Sequence, residues 1–194
     1  YKASYLNSTG ALYCQVGTSN NKVCDTSRAD PVVEENPVDT SAVTAWKDEA
    51  DDAVYSGDYI IGGSSSATLG PKKITGNLTI GSSATLRISG TIWVQGNLVI
   101  DGSATMLPDL AKNYAIVVDG TVTLGGSAGI LGSTGSHILI VSMSAADPAI
   151  TISGSADDTV VSAINGGLLV SGSGKVNVAA ATHITLTGSA QIEY

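Results

Sequence analysis

Gly76-Asn77-Leu78-Thr79-Ile80-Gly81-Ser82-Ser83-Ala84-Thr85-Leu86 is followed twenty residues later by Gly96-Asn97-Leu98-Val99-Ile100-Asp101-Gly102-Ser103-Ala104-Thr105-Met106. The shared pattern is an apolar residue, a spacer and an apolar residue, then Gly and Ser, then a small residue before the next apolar one. It returns at Val122-Thr123-Leu124, Ile150-Thr151-Ile152, Leu168-Leu169-Val170 and Ile184-Thr185-Leu186, and a weaker copy precedes them at Ser66-Ala67-Thr68-Leu69. A unit this short, with period-two alternation and Gly/Ser corners, cannot bury its apolar side alone, so the copies must stack. Aligned on residues 67, 84, 104, 128, 156, 174 and 190, the copies lie 17, 20, 24, 28, 18 and 16 residues apart. Unequal steps rule out a strict hexapeptide prism. The fold class read from them is all-β, a right-handed parallel β-helix (β-solenoid) with turns of variable length.

Composition agrees with stacked short strands. The 194 residues include 23 Gly and no Phe, with 5% aromatic and 13% charged residues. A formal net charge of −8 argues against nucleic acid as a partner, because that affinity comes largely from Lys and Arg on phosphates. No apolar run approaches the ~20 residues that span a bilayer, and no membrane span is expected in this chain. Tyr1 in place of a start methionine is read as the mark of a processed or partial chain.

The organisation expected along the chain has three parts. Residues 1–38 form an irregular N-terminal arm, in which Cys14 and Cys24 are expected to close a disulfide around a loop rich in Asn, Ser and Gly, placing the chain in an oxidising compartment. Residues 39–55 form a short helix: Asp39, Thr40 and Ser41 offer N-caps, and Val43, Trp46 and Ala50 share one face. That helix is expected to cap the N-terminal end of the solenoid, residues 56–194, because an exposed end is a sheet edge over an open core.

Candidate chemistry is sparse. The acidic run Asp48, Glu49, Asp51 and Asp52 lacks the loop pattern of a calcium site, and two cysteines with His137 and His183 make no zinc set, so neither metal nor cofactor is expected. Solenoid carboxylates are few, and the adjacent pair Asp157-Asp158 points to opposite faces of a strand, which makes a polysaccharide-active enzyme the third choice. The spacer position reads Thr79, Val99, Thr123, Thr151, Leu169 and Thr185, an outward column of Thr79, Thr123, Thr151 and Thr185 broken by apolar residues. Regular threonines can order water as ice does, and they also simply suit a sheet. Asn7 and Asn77 begin glycosylation sequons.

The segments Ala45-Trp46-Lys47-Asp48-Glu49-Ala50, Ser56-Gly57-Asp58-Tyr59, Leu69-Gly70-Pro71-Lys72-Lys73-Ile74-Thr75-Gly76-Asn77-Leu78, Gly90-Thr91-Ile92-Trp93-Val94-Gln95-Gly96-Asn97 and Gly188-Ser189-Ala190-Gln191-Ile192-Glu193-Tyr194 resemble a family of bacterial surface modules. These are β-solenoid domains that follow PilX-type or other pilin-like N-termini, including in candidate-phylum bacteria. The resemblance covers about residues 39–194 and implies export to the cell surface and a place in pili or other extracellular fibres, with no catalytic residues to carry over. The chain departs from it in lacking a pilin-type apolar N-terminal helix. The function expected is therefore a non-enzymatic extracellular structural protein, a subunit of a surface filament or pilus-associated appendage with adhesive faces. Its partners are other copies or other surface proteins, with the arm reaching a neighbour by strand addition. The alternative is a carbohydrate- or ice-binding module.

Overall fold

Leu78, Leu98, Val122, Ile150 and Leu168 stack in register on parallel strands, with Tyr59 at one end of the file and Ile184 at the other. This file is the spine of a β-solenoid. The computed structural model describes residues 27, 35–110, 112–132, 136–155 and 159–192. The expected Cys14–Cys24 disulfide, nearly all of the arm, the Asn7 sequon and the Asp157-Asp158 pair lie outside the described residues. The chain divides into two compact units, Tyr1–Glu35 and Asn36–Tyr194, and the second unit is the solenoid.

Three parallel sheets run along it. Eight strands, Val54–Tyr55, Lys72–Ile74, Ile92–Val94, Tyr114–Val118, Ile138–Ser142, Thr159–Ala163, Lys175–Ala181 and Gln191–Ile192, form the first. Seven, Tyr59–Ile61, Leu78–Ile80, Leu98–Ile100, Val122–Leu124, Ile150–Ile152, Leu168–Val170 and Ile184–Leu186, form the second. The third has four, Ser66–Leu69, Thr85–Ile88, Thr105–Pro108 and Gly129–Ile130, and takes no further strand among the described residues. Beyond it the strand Lys175–Ala181 lengthens the first sheet, with a register shift between Thr159 and Val160.

Along the spine, successive residues are 19, 20, 24, 28, 18 and 16 positions apart. The first step corrects the weak copy at Ser66–Leu69. Ala67 stacks on Leu86 rather than Ala84, because Leu69 and Ile88 are the inward pair at that level. Inward residues from all three sheets, among them Ile74, Ile80, Leu86, Ile92, Ile100 and Met106, fuse into one core. Each fully buried Leu or Ile contributes roughly 1.5–3 kcal/mol, so stability is distributed along the axis. No described helix is long and apolar enough to cross a membrane.

The two corners that flank the seven-stranded sheet are built differently. At one, Asp58 Oδ1 accepts from the Asn77 amide N–H at 2.7 Å, Asn77 Oδ1 from that of Asn97 at 2.8 Å and Asn97 Oδ1 from that of Thr121 at 2.8 Å. Each side chain thus satisfies a backbone donor of the next coil. The amide of Asn77 is engaged on both sides, since its Nδ2 also donates to Asp58 at 3.1 Å. A Cβ on Gly96 would sit 2.7 Å from the Gly76 carbonyl oxygen, so this corner admits only glycine beside the ladder. At the other corner, Ser103 N–H donates to the Ser82 carbonyl at 2.6 Å and Ser127 N–H to that of Gly102 at 2.7 Å.

The helix spans Thr40–Asp51. Asp39 caps it: its carboxylate accepts from the Ser41 hydroxyl at 2.6 Å and the Ala42 amide at 2.8 Å, and these bonds, Ser41 first, lower its pKa below the usual aspartate value.

Candidate functional site

Among the described residues four features carry candidate chemistry. The first is the outward side of the seven-stranded sheet. Ile60, Thr79, Val99, Thr123, Thr151, Leu169 and Thr185 form one in-register column there. Thr79, Thr123, Thr151 and Thr185 therefore share a face that is open to solvent, with Val99 and Leu169 between them. The neighbouring column is the Asp58, Asn77, Asn97 and Thr121 ladder, continued by Ala149, Gly167 and His183. A flat threonine array two files wide, which ice recognition would need, is not formed.

The second is the outward side of the eight-stranded sheet, where the helix lies. Its main contacts are to three consecutive strands, Lys72–Ile74, Ile92–Val94 and Tyr114–Val118. Val43 packs with Val117 and Val141, with Trp46, Trp93, Leu139 and Met143 around them. The expected end cap of Val43, Trp46 and Ala50 is thus corrected: the helix lies along the side of the solenoid. The physical reason is that Trp93, Val117 and Val141 point outward from successive coils and offer an apolar strip that water would otherwise wet.

Polar contacts pin the helix in place. Lys47 Nζ lies 2.5 Å from Asp119 Oδ1, and Trp93 Nε1 donates to Asp119 Oδ2 at 2.9 Å. Lys73 Nζ sits 4.1 Å from the Trp93 ring centroid and 2.7 Å from Asp51 Oδ1. Glu49 Oε2 accepts from the Thr91 hydroxyl at 2.7 Å, and Asn36 Oδ1 from the Ser162 hydroxyl at 3.0 Å. The acidic run of the helix thus spends Glu49 and Asp51 on the sheet. No group of three or more His, Cys, Asp or Glu side chains comes together among the described residues. The other solenoid carboxylates are separated: Asp101 accepts from the Gly102 amide at 2.7 Å and Asp147 Oδ1 lies 2.6 Å from His183 Nε2.

The third feature is a cleft of about 440 Å³ beside the helix, lined by Trp46, Glu49, Thr91, Lys112, Asn113 and Tyr114 together with Pro71, Ser89, Leu110 and Leu139. Sequence reasoning placed Trp46 in a cap and gave Tyr114 no role. Nothing in the linear pattern brings these two aromatics to one hollow, because the helix must first be docked on the sheet.

The fourth is the face of the last described coil. Ile184, Leu186 and Ile192 are 39%, 40% and 42% exposed, whereas Leu168, Val170 and Val176, which they stack on, are 1%, 0% and 0% exposed. Val178 nearby is also exposed. The coil presents inward-type side chains with nothing described lying on them.

No family model, no curated protein and no solved structure matches this chain.

Proposed function

We propose that this chain is a non-enzymatic structural protein of the cell exterior, a solenoid subunit that joins its neighbours end to end in a surface filament or pilus-associated appendage. The observation that carries the reading is the apolar row of the last described coil. Three large side chains that are sealed one coil earlier stand about two-fifths exposed at Ile184, Leu186 and Ile192. Full burial of such a side chain contributes roughly 1.5–3 kcal/mol, and covering the two-fifths still exposed contributes about 0.6–1.2 kcal/mol each, so the row favours whatever coil can stack on it. The end strands add a second drive, because the N–H and C=O groups along a strand edge can pair with a strand of another chain. Joining unlike ends of identical subunits is a heterologous contact, which propagates into a fibre instead of closing into a dimer. The resemblance to pilin-associated surface solenoids supports the same reading and supplies the extracellular location.

The test is assembly of the 194-residue chain, followed by light scattering and negative-stain microscopy, against the double variant Ile184→Lys, Leu186→Lys. Filaments from the parent chain and monomers from the variant, with the same far-ultraviolet circular dichroism, are the expected result. A parent chain that stays monomeric at every concentration overturns the proposal. Filaments that survive both lysines overturn the coil-face interface.

A further inference from the structure

The cleft beside the helix has the makings of a binding site, and we infer that it takes a neutral saccharide unit. Its two aromatic rings come from different elements. Trp46 stands on the helix and Tyr114 opens the strand Tyr114–Val118, and both are half-buried. The inner part of Trp46 packs against the Val43, Val117 and Val141 cluster, while Tyr114 packs against the main core. Rings held this way lose little freedom when a ligand arrives, and an aromatic face with a polar rim suits the C–H face of a pyranose.

The polar groups are oriented in advance as well. Glu49 sits one helical turn from Trp46 on the same face, and its Oε2 is held by the Thr91 hydroxyl at 2.7 Å, which leaves Oε1 to accept from a ligand hydroxyl. Asn113, which lines the cleft, accepts from the His137 amide through Oδ1 at 2.9 Å and keeps its Nδ2 as a donor. Lys112 supplies a further donor at the rim. One carboxylate and one ammonium cancel, so the hollow selects neither a polyanion nor a cation. What matches alternating donors and acceptors beside an aromatic wall is a polyhydroxylated ring. A volume of about 440 Å³ lies in the lower part of the usual range for small-molecule sites, about 300–1,000 Å³, which suits a short saccharide rather than an extended polymer groove. The cleft belongs to the side of the solenoid, so its occupancy does not depend on end-to-end assembly.

The experiment is saturation-transfer NMR on the full chain with three probes, cellotriose, N,N′,N″-triacetylchitotriose and trigalacturonate. Transfer from at least one neutral trisaccharide, weakened about tenfold by Glu49→Gln and by Tyr114→Ala, is the expected result. Lys112→Ala and Glu49→Gln keep the test sound if Tyr114→Ala unfolds, since neither removes core packing, and the melting temperature of each variant is read alongside. Absence of transfer from both neutral probes overturns the inference. So does stronger transfer from trigalacturonate, or transfer that none of the three variants diminishes.

Discussion

The eight-stranded and seven-stranded sheets present the same kind of inward column and opposite kinds of outward one. At the levels of the helix the first reads Lys73, Trp93, Val117 and Val141 along its register. At the corresponding levels the second reads Thr79, Val99, Thr123 and Thr151. Val117 and Val141 are buried, while Thr123 is exposed. The difference is not in the coil, which is continuous, but in what lies on it. A parallel sheet tolerates an apolar outer face only where another element covers it, and hydroxyl and small β-branched side chains suffice where nothing does.

Val117 and Thr123 allow that contrast to be broken at a single level, since both lie in one coil, six residues apart. Val117→Asp places an unpaired carboxylate between helix and sheet and is expected to cost about 3 kcal/mol or more, whereas Thr123→Asp should stay within about 0.5 kcal/mol. Urea midpoints of the two variants decide it. Equal losses would mean that the threonine face is covered too, and the distinction between the faces would fail.

Trp93→Ala comes next. It removes the largest ring under the helix, the donor to Asp119 and the surface on which Lys47 and Lys73 rest. Because the ring is only half-buried, a loss near the lower end of the range for such truncations, about 3 kcal/mol, is expected. The readout that separates docking from coil stacking is amide exchange. Residues of the helix should lose protection while those of Leu98–Ile100 keep it. Uniform loss along the chain would show that the helix and the coils unfold as one unit and that the covered face has no stability of its own.

The stacking and its uneven steps were legible in the sequence, because period-two alternation with Gly/Ser corners repeats in residues such as Leu78-Thr79-Ile80 and Val122-Thr123-Leu124. The helix was legible too, but its resting place was not read. The clue lay in the strands themselves. Tyr114-Ala115-Ile116-Val117-Val118 and Ile138-Leu139-Ile140-Val141 are unbroken apolar runs, the mark of strands buried on both faces. The cleft could not have been read, since Trp46, Lys112 and Tyr114 meet only after the helix and the loop around residue 112 have been placed. The exposed coil face was equally hidden, because Ile184-Thr185-Leu186 carries the same pattern as the sealed strands before it. Pattern reports which way a side chain points, not whether a neighbour arrives.

The smallest effect concerns the corner that bounds the open face opposite the asparagine ladder. Gly63, Ser82, Gly102, Gly126, Gly154, Gly172 and Gly188 turn there with φ between 60° and 72°, and Ser82 is the one member with a side chain. Holding a non-glycine residue in the left-handed region costs about 1–2 kcal/mol, whereas the added freedom of an unfolded glycine costs about 0.4–1 kcal/mol. The strain is the larger quantity. Gly102→Ala should therefore destabilise by about 2 kcal/mol, the more so because its Cβ would approach the Ser82 carbonyl oxygen to 2.6 Å. Ser82→Gly should stabilise by about 0.5 kcal/mol, seen as a small rise in melting temperature. A fall instead would mean that the Ser82 side chain secures the open face in a way backbone conformation does not, and the two corners would then share one logic, with side chains holding coil to coil at both edges of the threonine column.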